Sequence, residues 1–212
     1  MPRFDDPPLM PRTGESPEEL LARSASLAGT PGQDYVEKRG VPLDVAEAAG
    51  VRFDADFNGR PAVIVPLHDR NGVLTSIHGR YLQTLRKQNK MLTVGPGGGV
   101  INVQGGWSAE PLILVEGLFD ALSLATAGIA STATIGRWAP WLPEVCAGRD
   151  VWLGFDASRP GDVDAETYAQ RLSSSDVYRL PPPPRCLDWS TALVKIGHRQ
   201  AAHWVREQLE QG

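Results

Sequence analysis

Two short apolar runs of this sequence each end in an acidic residue. Residues 111–116 read PLILVE and end at Glu116, and residues 150–156 read DVWLGFD and end at Asp156. A short, continuous apolar run is typical of a strand buried on both faces, as in a parallel sheet covered by helices. Ligands of such sheets bind at the carboxyl ends of the strands, where these two carboxylates fall. Because Mg²⁺ and Mn²⁺ prefer hard oxygen ligands, the pair predicts a divalent-cation site.

Each acid taken alone also fits a purely structural role. Glu116 can be an acid at the start of the next helix, and Asp156 can be a turn former. The pattern around the pair is harder to explain that way. Glu116-Gly117 is followed by Asp120, by the helical stretch LFDALSLATAG up to Gly128, and by STATIG before the second run. This linked series favours a site over two unrelated caps.

The elements that would position these acids alternate between strand and helix after residue 110. The predicted strands are PLILVE, STATI, DVWLGFD and DVYRL, and the predicted helices are LFDALSLATAG, WAPWLPEVCAG and GDVDAETYAQRL. Such alternation predicts a parallel sheet with right-handed crossovers. After the PPPP stretch, Asp188 precedes a further helical segment, and an N-cap role would explain it.

The chain before residue 110 has a different character. Residues 1–15 are rich in proline and charge, which predicts a poorly ordered arm. Ser16-Pro17 is a strong helix start, for a helix expected to reach about Gly29, and two short helices follow. RPAVIVPLHD and GVLTSIHGRYL then flank Asn71-Gly72, a good hairpin signal. These elements predict a small mixed α+β subdomain.

Composition sets limits on the class of protein. With 212 residues, of which 42% are hydrophobic, the chain can bury one large core or two small ones. Its net charge of −4 counts mildly against strong autonomous DNA binding, although a local basic groove is still compatible with it. The two cysteines form no CxxC, so neither a zinc ribbon nor a disulfide framework can be argued. No apolar run approaches the roughly 18 residues of a membrane span, so a cytoplasmic protein without membrane partners is expected.

Two groups in the middle of the chain could bind phosphate. The densest basic cluster comprises Arg80, Arg86, Lys87 and Lys90. A solvated hairpin face explains such a cluster, and we favour that explanation for Arg86 and Lys87. The glycines at 95, 97, 98 and 99 could form a backbone nest for an anion. A connector is favoured for them, because no Lys-Ser/Thr pair follows as a phosphate-binding loop would require.

The order of these motifs resembles a known family. The series from Glu116 to Asp156 resembles the Toprim domain of bacterial primases, topoisomerases and related nucleases, in which a glutamate ends the first strand and a DxD ends the third. The upstream part resembles the N-terminal subdomain of DnaG-type primases, and the glycine-rich run after Lys90 looks more like plasmid and phage primases. The resemblance covers about residues 30–197. It includes the stretch CLDWSTALVKIG, which resembles the family's segment after the final strand, where an aspartate, here Asp188, starts a helix. The matching upstream positions are Tyr35, Arg39-Gly40, Pro66, Asp69, Gly72 and Gly79-Arg80.

The resemblance implies a fold and a division of the chain. The expected class is α/β, with a Toprim domain of parallel sheet flanked by helices, preceded by a small mixed α+β subdomain. We expect a flexible arm over 1–15, a primase-like subdomain over 16–110, a Toprim domain over 111–197 and a C-terminal helix over 198–212.

It also implies an activity. The chain would be a primase-like nucleotidyltransferase core of a plasmid, phage or other mobile element, making short primers on single-stranded DNA with two Mg²⁺ (or Mn²⁺) ions. Glu116, Asp120 and Asp156 would be the catalytic acids, with Glu116 and Asp156 on the metal. Arg80 and Lys90 would position phosphates of the template or the nucleotide. A replicative helicase, or a separate zinc-binding initiation subunit, would supply the functions for which this chain has no segment.

The sequence departs from the family pattern at one place. Ser158 stands where the second acid of the DxD is expected. In an extended segment its side chain would share a side with that of Asp156 and offer the metal a neutral oxygen. Asp162 or Asp164 could replace the missing charge, although their place at a helix start already explains them. The expected metal ligands are therefore Glu116, Asp156, Ser158 and Asp162.

Two rival functions stay open. A Toprim nuclease would use the same acids with water as the nucleophile, but the primase-like series before residue 110 argues against it. A catalytically degenerate nucleic-acid-binding protein descended from a primase is the other, and Ser158 makes it credible.

Overall fold

The computed structural model describes residues 14–84 and 88–211. The predicted arm therefore lies almost wholly outside the described residues, as do Arg86 and Lys87 of the basic cluster. The chain divides into two compact units. The N-terminal unit comprises Met1–Ile101 with Arg137–Ala139, and the C-terminal unit comprises Asn102–Gly136 with Pro140–Gly212.

The N-terminal unit combines short helices with an antiparallel sheet of four strands in the order β1-β2-β3-β4. The predicted hairpin between β2 and β3 is present: Asp69 Oδ1 accepts the N–H groups of Asn71 and Val73, and Gly72 takes a φ of +79°. The elements are α1 (Pro17–Arg23), α2 (Pro31–Glu37), α3 (Leu43–Ala48), β1 (Arg52–Phe57), β2 (Arg60–His68), β3 (Leu74–Tyr81) and β4 (Met91–Val94).

The first helix starts as predicted and ends earlier. Ser16 caps it and forms a reciprocal capping box with Glu19, which satisfies two backbone donors at the helix start. The helix ends at Arg23 and does not continue to Gly29. The reason is a tertiary pairing: Ala25 exchanges two backbone hydrogen bonds with Phe53, of 2.8 and 2.9 Å, and so joins the edge of β1.

The C-terminal unit carries the expected α/β architecture. Its five-stranded sheet has the order β5-β7-β6-β8-β9, and β6 pairs in parallel with both β7 and β8, as β8 does with β9. The elements are β5 (Ile101–Val103), a 3₁₀ turn (Gly106–Ser108), β6 (Leu112–Val115), α4 (Leu118–Thr126), β7 (Ser131–Ala133), α5 (Leu142–Cys146), β8 (Asp150–Leu153), α6 (Arg159–Arg171), β9 (Asp176–Arg179) and α7 (Trp189–Gln211), which is interrupted at Gly197.

The central strands of this sheet are buried, as their apolar runs predict. All four residues of β6 are buried, and so are Val151, Trp152 and Leu153 of β8. β8 ends at Leu153, so the strand is shorter than the predicted DVWLGFD, and Asp156 lies beyond its end. The helix predicted over WAPWLPEVCAG is confined to α5. Within residues 14–84 and 88–211, no helix has the length and apolar character that a membrane crossing would require.

Candidate metal centre

Three aspartates converge beyond the carboxyl ends of the parallel strands. Asp120, Asp156 and Asp188 each place a carboxylate oxygen within 4.8 Å of the other two. Opposite ligands of an octahedral Mg²⁺ lie about 4 Å apart, because each Mg–O bond is about 2.1 Å long. A small adjustment of side chains would therefore let one divalent cation contact all three, and hard carboxylate oxygens are the donors that such an ion prefers.

Asp120 is the most enclosed of the three. It lies in the first turn of α4, is 9% exposed, and accepts the N–H of Trp189 on Oδ1 at 3.1 Å. Gly117, the N-cap of α4, leaves room for it, since a Cβ at that position would lie 2.8 Å from Asp120 Oδ2. Burial, followed by the nearby charges of Asp156 and Asp188, raises the pKa of Asp120 to about 8. A bound cation would relieve both costs.

Glu116 lies beside this group and supports the main chain of one member, Asp156. It follows β6 directly, and its Oε1 accepts the backbone N–H of Asp156 at 2.9 Å. Burial raises the pKa of Glu116 to about 7, against the effect of that hydrogen bond, which lowers it. The predicted acids Glu116, Asp120 and Asp156 therefore lie at one site. The hydrogen bond makes Glu116 a support of the Asp156 backbone, whatever its part in binding the ion.

Asp188 is the acid that the sequence did not assign to the metal. Its Oδ1 accepts the N–H of Thr191 at 2.5 Å, so the predicted N-cap role is present. A carboxylate oxygen of Asp188 also belongs to the three-aspartate cluster. The next residue anchors this helix start: Trp189 is 1% exposed and donates its indole N–H to the carbonyl of Gly154 at 2.9 Å. Two signals were available in the sequence: Asp188 follows a strand of the parallel sheet, and its segment resembles the one in which an aspartate of the primase family starts a helix.

Ser158 and Asp162 have structural partners. Ser158 caps α6 by accepting the N–H of Gly161 at 3.2 Å, and its own N–H donates to the carbonyl of Asp156 at 2.9 Å. That bond closes a tight turn, so the expectation of a straight extended segment from 156 to 158 is wrong. Asp162 is exposed and accepts a hydrogen bond from Arg179 at 3.1 Å. A metal role for Ser158 or Asp162 stays a prediction.

The basic residues belong to the N-terminal unit. Arg80 lies on β3, half-buried, with Nε 3.4 Å from the hydroxyl of Tyr35. Arg39 donates to the same hydroxyl at 2.9 Å and lies over the ring, 4.8 Å from its centroid. The structure thus brings together two arginines that the sequence did not connect. The Lys90 side chain is exposed, and the backbone carbonyl of Lys90 accepts the N–H of Tyr81.

The glycine-rich run has a packing explanation. Cβ atoms at Gly95 and Gly99 would collide with Thr75 of β3, and the N–H of Gly97 donates to Ser76 Oγ at 3.1 Å. Glycine is therefore needed for the close approach of this segment to the sheet. This favours the connector that the sequence analysis preferred over an anion nest.

Known proteins resemble this chain more clearly in fold than in sequence. Residues 12–102 match a family model described as a domain of unknown function, DUF7146, which covers less than half of the chain. No curated protein matches the sequence. The zinc-binding and RNA polymerase domains of the Aquifex aeolicus primase superpose with a TM-score of 0.68 at 18% identity, over 90% of this chain and 59% of that one.

Two further primase structures give the same result. A DnaG primase catalytic domain bound to single-stranded DNA has a TM-score of 0.65 at 20% identity, over 90% of this chain and 77% of that one. The primase fragment of the bacteriophage T7 primase-helicase protein has a TM-score of 0.59 at 20% identity, over 80% and 72%. With its antiparallel N-terminal sheet and its parallel sheet flanked by helices, this chain has the Toprim primase-like fold of the DnaG-type catalytic cores.

Proposed function

We propose that this chain is a primase-like nucleotidyltransferase core that makes short primers on single-stranded DNA with a divalent metal ion. The observation that carries the proposal is the convergence of Asp120, Asp156 and Asp188, in a chain that has the fold of DnaG-type catalytic cores. Such a core needs little covalent chemistry from the protein, because phosphoryl transfer depends mainly on positioning and on charge stabilisation.

The donor set fits a divalent cation. Asp120, Asp156 and Asp188 would hold it, and Glu116 would keep the Asp156 backbone in place through the 2.9 Å hydrogen bond. When bound, Mg²⁺ or Mn²⁺ supplies Lewis-acid stabilisation of the charge on phosphoryl oxygens. Because one carboxylate oxygen of each aspartate lies within 4.8 Å of the other two, we propose one ion held by the protein itself.

The N-terminal unit would contribute phosphate contacts. Arg80 and Lys90 would position the template or the nucleotide, and Arg39 joins them because it shares the Tyr35 hydroxyl with Arg80. Such contacts set the register of nucleic acid on a protein without reading its sequence.

Partner chains would complete the activity. The Aquifex structure contains a zinc-binding domain beside its RNA polymerase domain, and the T7 fragment comes from a primase-helicase protein. By analogy, we propose that this chain works with a zinc-binding or initiation subunit and with a replicative helicase.

A product assay tests the activity. The purified chain is incubated with single-stranded DNA, labelled nucleotides and Mg²⁺ or Mn²⁺, and new short products are separated from degraded template. We expect short products that disappear in Asp156→Asn and persist in Asp176→Asn, a matched control at the exposed start of β9. Degraded template without new products would instead identify a Toprim nuclease.

One observation favours a second candidate. The DxD position holds Ser158, and its hydroxyl is used to cap α6, so no second carboxylate stands there. A nucleic-acid-binding protein that has lost the chemistry would bind single-stranded DNA and yield neither primers nor fragments with either metal. That result in the same assay would replace the proposed activity.

A further inference from the structure

Arg179, the last residue of β9, makes an unusual set of contacts for a residue on the outer strand of a sheet. Its Nη1 donates to the carbonyls of Leu153 and Phe155 at 2.8 and 2.9 Å. Its Nη2 donates to the carbonyl of Asp156 at 2.7 Å and to Asp162 Oδ1 at 3.1 Å. Three of its four hydrogen bonds therefore go to the main chain of the segment that carries Asp156.

This segment needs such a partner because it leaves the sheet. β8 ends at Leu153, and Gly154 makes the last ladder bond, from its N–H to the carbonyl of Leu114 at 2.8 Å. The carbonyls of Phe155 and Asp156 have no facing strand. The Asp156 carbonyl accepts the N–H of Ser158 at 2.9 Å, and the Arg179 guanidinium supplies it with a second donor and the Phe155 carbonyl with a donor. Arginine suits this task, because its planar guanidinium fork can donate hydrogen bonds to several oxygens at once, whereas the ammonium of lysine acts as a point charge.

The main chain of Asp156 is consequently held from both sides. The carboxylate of Glu116 accepts its N–H at 2.9 Å, and the guanidinium of Arg179 donates to its carbonyl at 2.7 Å. With both backbone groups anchored, the direction in which the Cα–Cβ bond of Asp156 leaves the main chain is constrained, and with it the reach of the carboxylate toward Asp120 and Asp188. We propose that Arg179 is a positioning residue, which orients Asp156 for the cation through the carbonyls of Leu153, Phe155 and Asp156.

A positioning role of Arg179 and a purely electrostatic role predict opposite effects of its replacement on metal binding. The guanidinium is a cation near a cation site, so its charge alone would repel the metal, and removing it would tighten metal binding. If Arg179 positions Asp156, removing it weakens metal binding. Arg179→Lys keeps the charge and loses the fork, so it separates the two roles. Arg149→Gln is the matched control, because Arg149 also donates to a main-chain carbonyl, that of Ala109 at 2.7 Å, and to a carboxylate, that of Glu110 at 2.8 Å, away from the three aspartates.

Two measurements test the inference. Only the second measurement depends on the proposed metal centre. The first is amide hydrogen exchange of residues 153–158 in metal-free protein. We expect exchange at least tenfold faster in Arg179→Gln and Arg179→Lys, and unchanged exchange in Arg149→Gln. The second is Mn²⁺ titration by calorimetry and electron paramagnetic resonance. Here we expect binding about tenfold weaker in both Arg179 variants, and within twofold of the wild type in Arg149→Gln.

The outcomes can be told apart. Unchanged exchange in both Arg179 variants, or Mn²⁺ binding as tight as in the wild type, would overturn the positioning role. If the wild type binds no Mn²⁺ while the variants lose protection over 153–158, the proposed metal centre fails and the positioning of Asp156 stands. Thermal unfolding of each variant ensures that folded proteins are compared, and Arg179→Lys serves if Arg179→Gln does not fold.

Discussion

The backbone N–H of Asp156 donates to the carboxylate of Glu116 at 2.9 Å. This bond joins the ends of β6 and β8, which are adjacent and parallel in the sheet. Both acids are expected from the sequence to bind the metal, but the structure gives them different positions in the site. Asp156 belongs to the three-carboxylate cluster, and Glu116 supports the main chain of Asp156.

Replacing Glu116 tests this support. In Glu116→Gln the amide oxygen can still accept the Asp156 N–H, whereas the charge is lost. We expect a stability within about 1 kcal/mol of the wild type, since the hydrogen bond survives, but weaker Mn²⁺ binding and no primer synthesis. Glu116→Ala, which leaves the Asp156 N–H without its acceptor, should cost a further 1–3 kcal/mol or so. Unchanged product yield from folded Glu116→Gln would exclude a role for its charge.

Metal binding should strengthen as the pH rises. The pKa of Asp120 is raised to about 8 and that of Glu116 to about 7, so protons compete with the cation below these values. We expect Mn²⁺ affinity to increase from pH 6 to pH 8.5, with protons released on binding. Calorimetry in two buffers of different ionisation enthalpy measures that release. Asp120→Asn should weaken binding and flatten its pH dependence, and an equally steep dependence in this variant would contradict the assignment.

Buried His78 should make the protein sensitive to acid. Burial, together with the charges of Arg80 and Arg137, lowers the pKa of His78 to about 3, and the ring is hydrogen-bonded to Thr93. Because the unfolded chain takes up this proton near pH 6.5 and the folded chain does not, stability is lost as the pH falls from about 6.5 toward 3, by up to about 1.4 kcal/mol per unit.

The test is a comparison at each pH, since Glu116 and Asp120 have raised pKa values and act in the opposite direction. His78→Gln should be less stable than the wild type at pH 7.5, by about 1 kcal/mol for the altered hydrogen bond. Denaturant unfolding should show this difference shrinking below pH 6.5 and reversing in sign by pH 4.5, because the stability that the wild type loses through His78 over this range is larger than the hydrogen-bond difference of about 1 kcal/mol. A constant difference would mean that His78 does not stay neutral in the folded state.

Ser158 can be tested for its two possible roles separately. Ser158→Ala removes the α6 cap and should cost about 1 kcal/mol. Ser158→Asp keeps a capping oxygen, so its unfolding free energy should match the wild type, and the added negative charge should tighten Mn²⁺ binding a few-fold. If Ser158→Asp leaves metal binding unchanged while Asp162→Asn or Asp164→Asn abolishes it, one of those acids is the working ligand.

The basic residues make a prediction about salt. Arg80→Ala or Lys90→Ala should weaken binding of single-stranded DNA, and each lost phosphate contact should reduce the slope of log K against log salt by roughly 0.7. Fluorescence anisotropy at several salt concentrations measures the slope. Lys38→Ala, another lysine of the same unit, is the control. An unaltered slope in both variants would mean that Arg80 and Lys90 contact no phosphate and belong to a solvated face of the hairpin.

Local sequence indicated most of the elements and their order. The apolar runs of β6 and β8 are typical of strands buried on both faces, and the Asn71-Gly72 pair predicted its hairpin. These features depend on neighbours within a few residues. The same holds for Ser16 and Asp188 as helix caps, whose hydrogen bonds span three residues.

Tertiary structure alone decided which of these residues meet. Asp188 joins Asp120 and Asp156 because β9 lies beside β8 and α7 begins beyond it. Ser158 turns toward Gly161 because the chain leaves the sheet at Leu153, a point that the alternation of side chains does not mark. Arg179 reaches the Asp156 carbonyl for the same reason. Local propensity acts over one or two turns of chain, whereas these contacts join segments far apart in sequence, so only the order of the strands could bring them together.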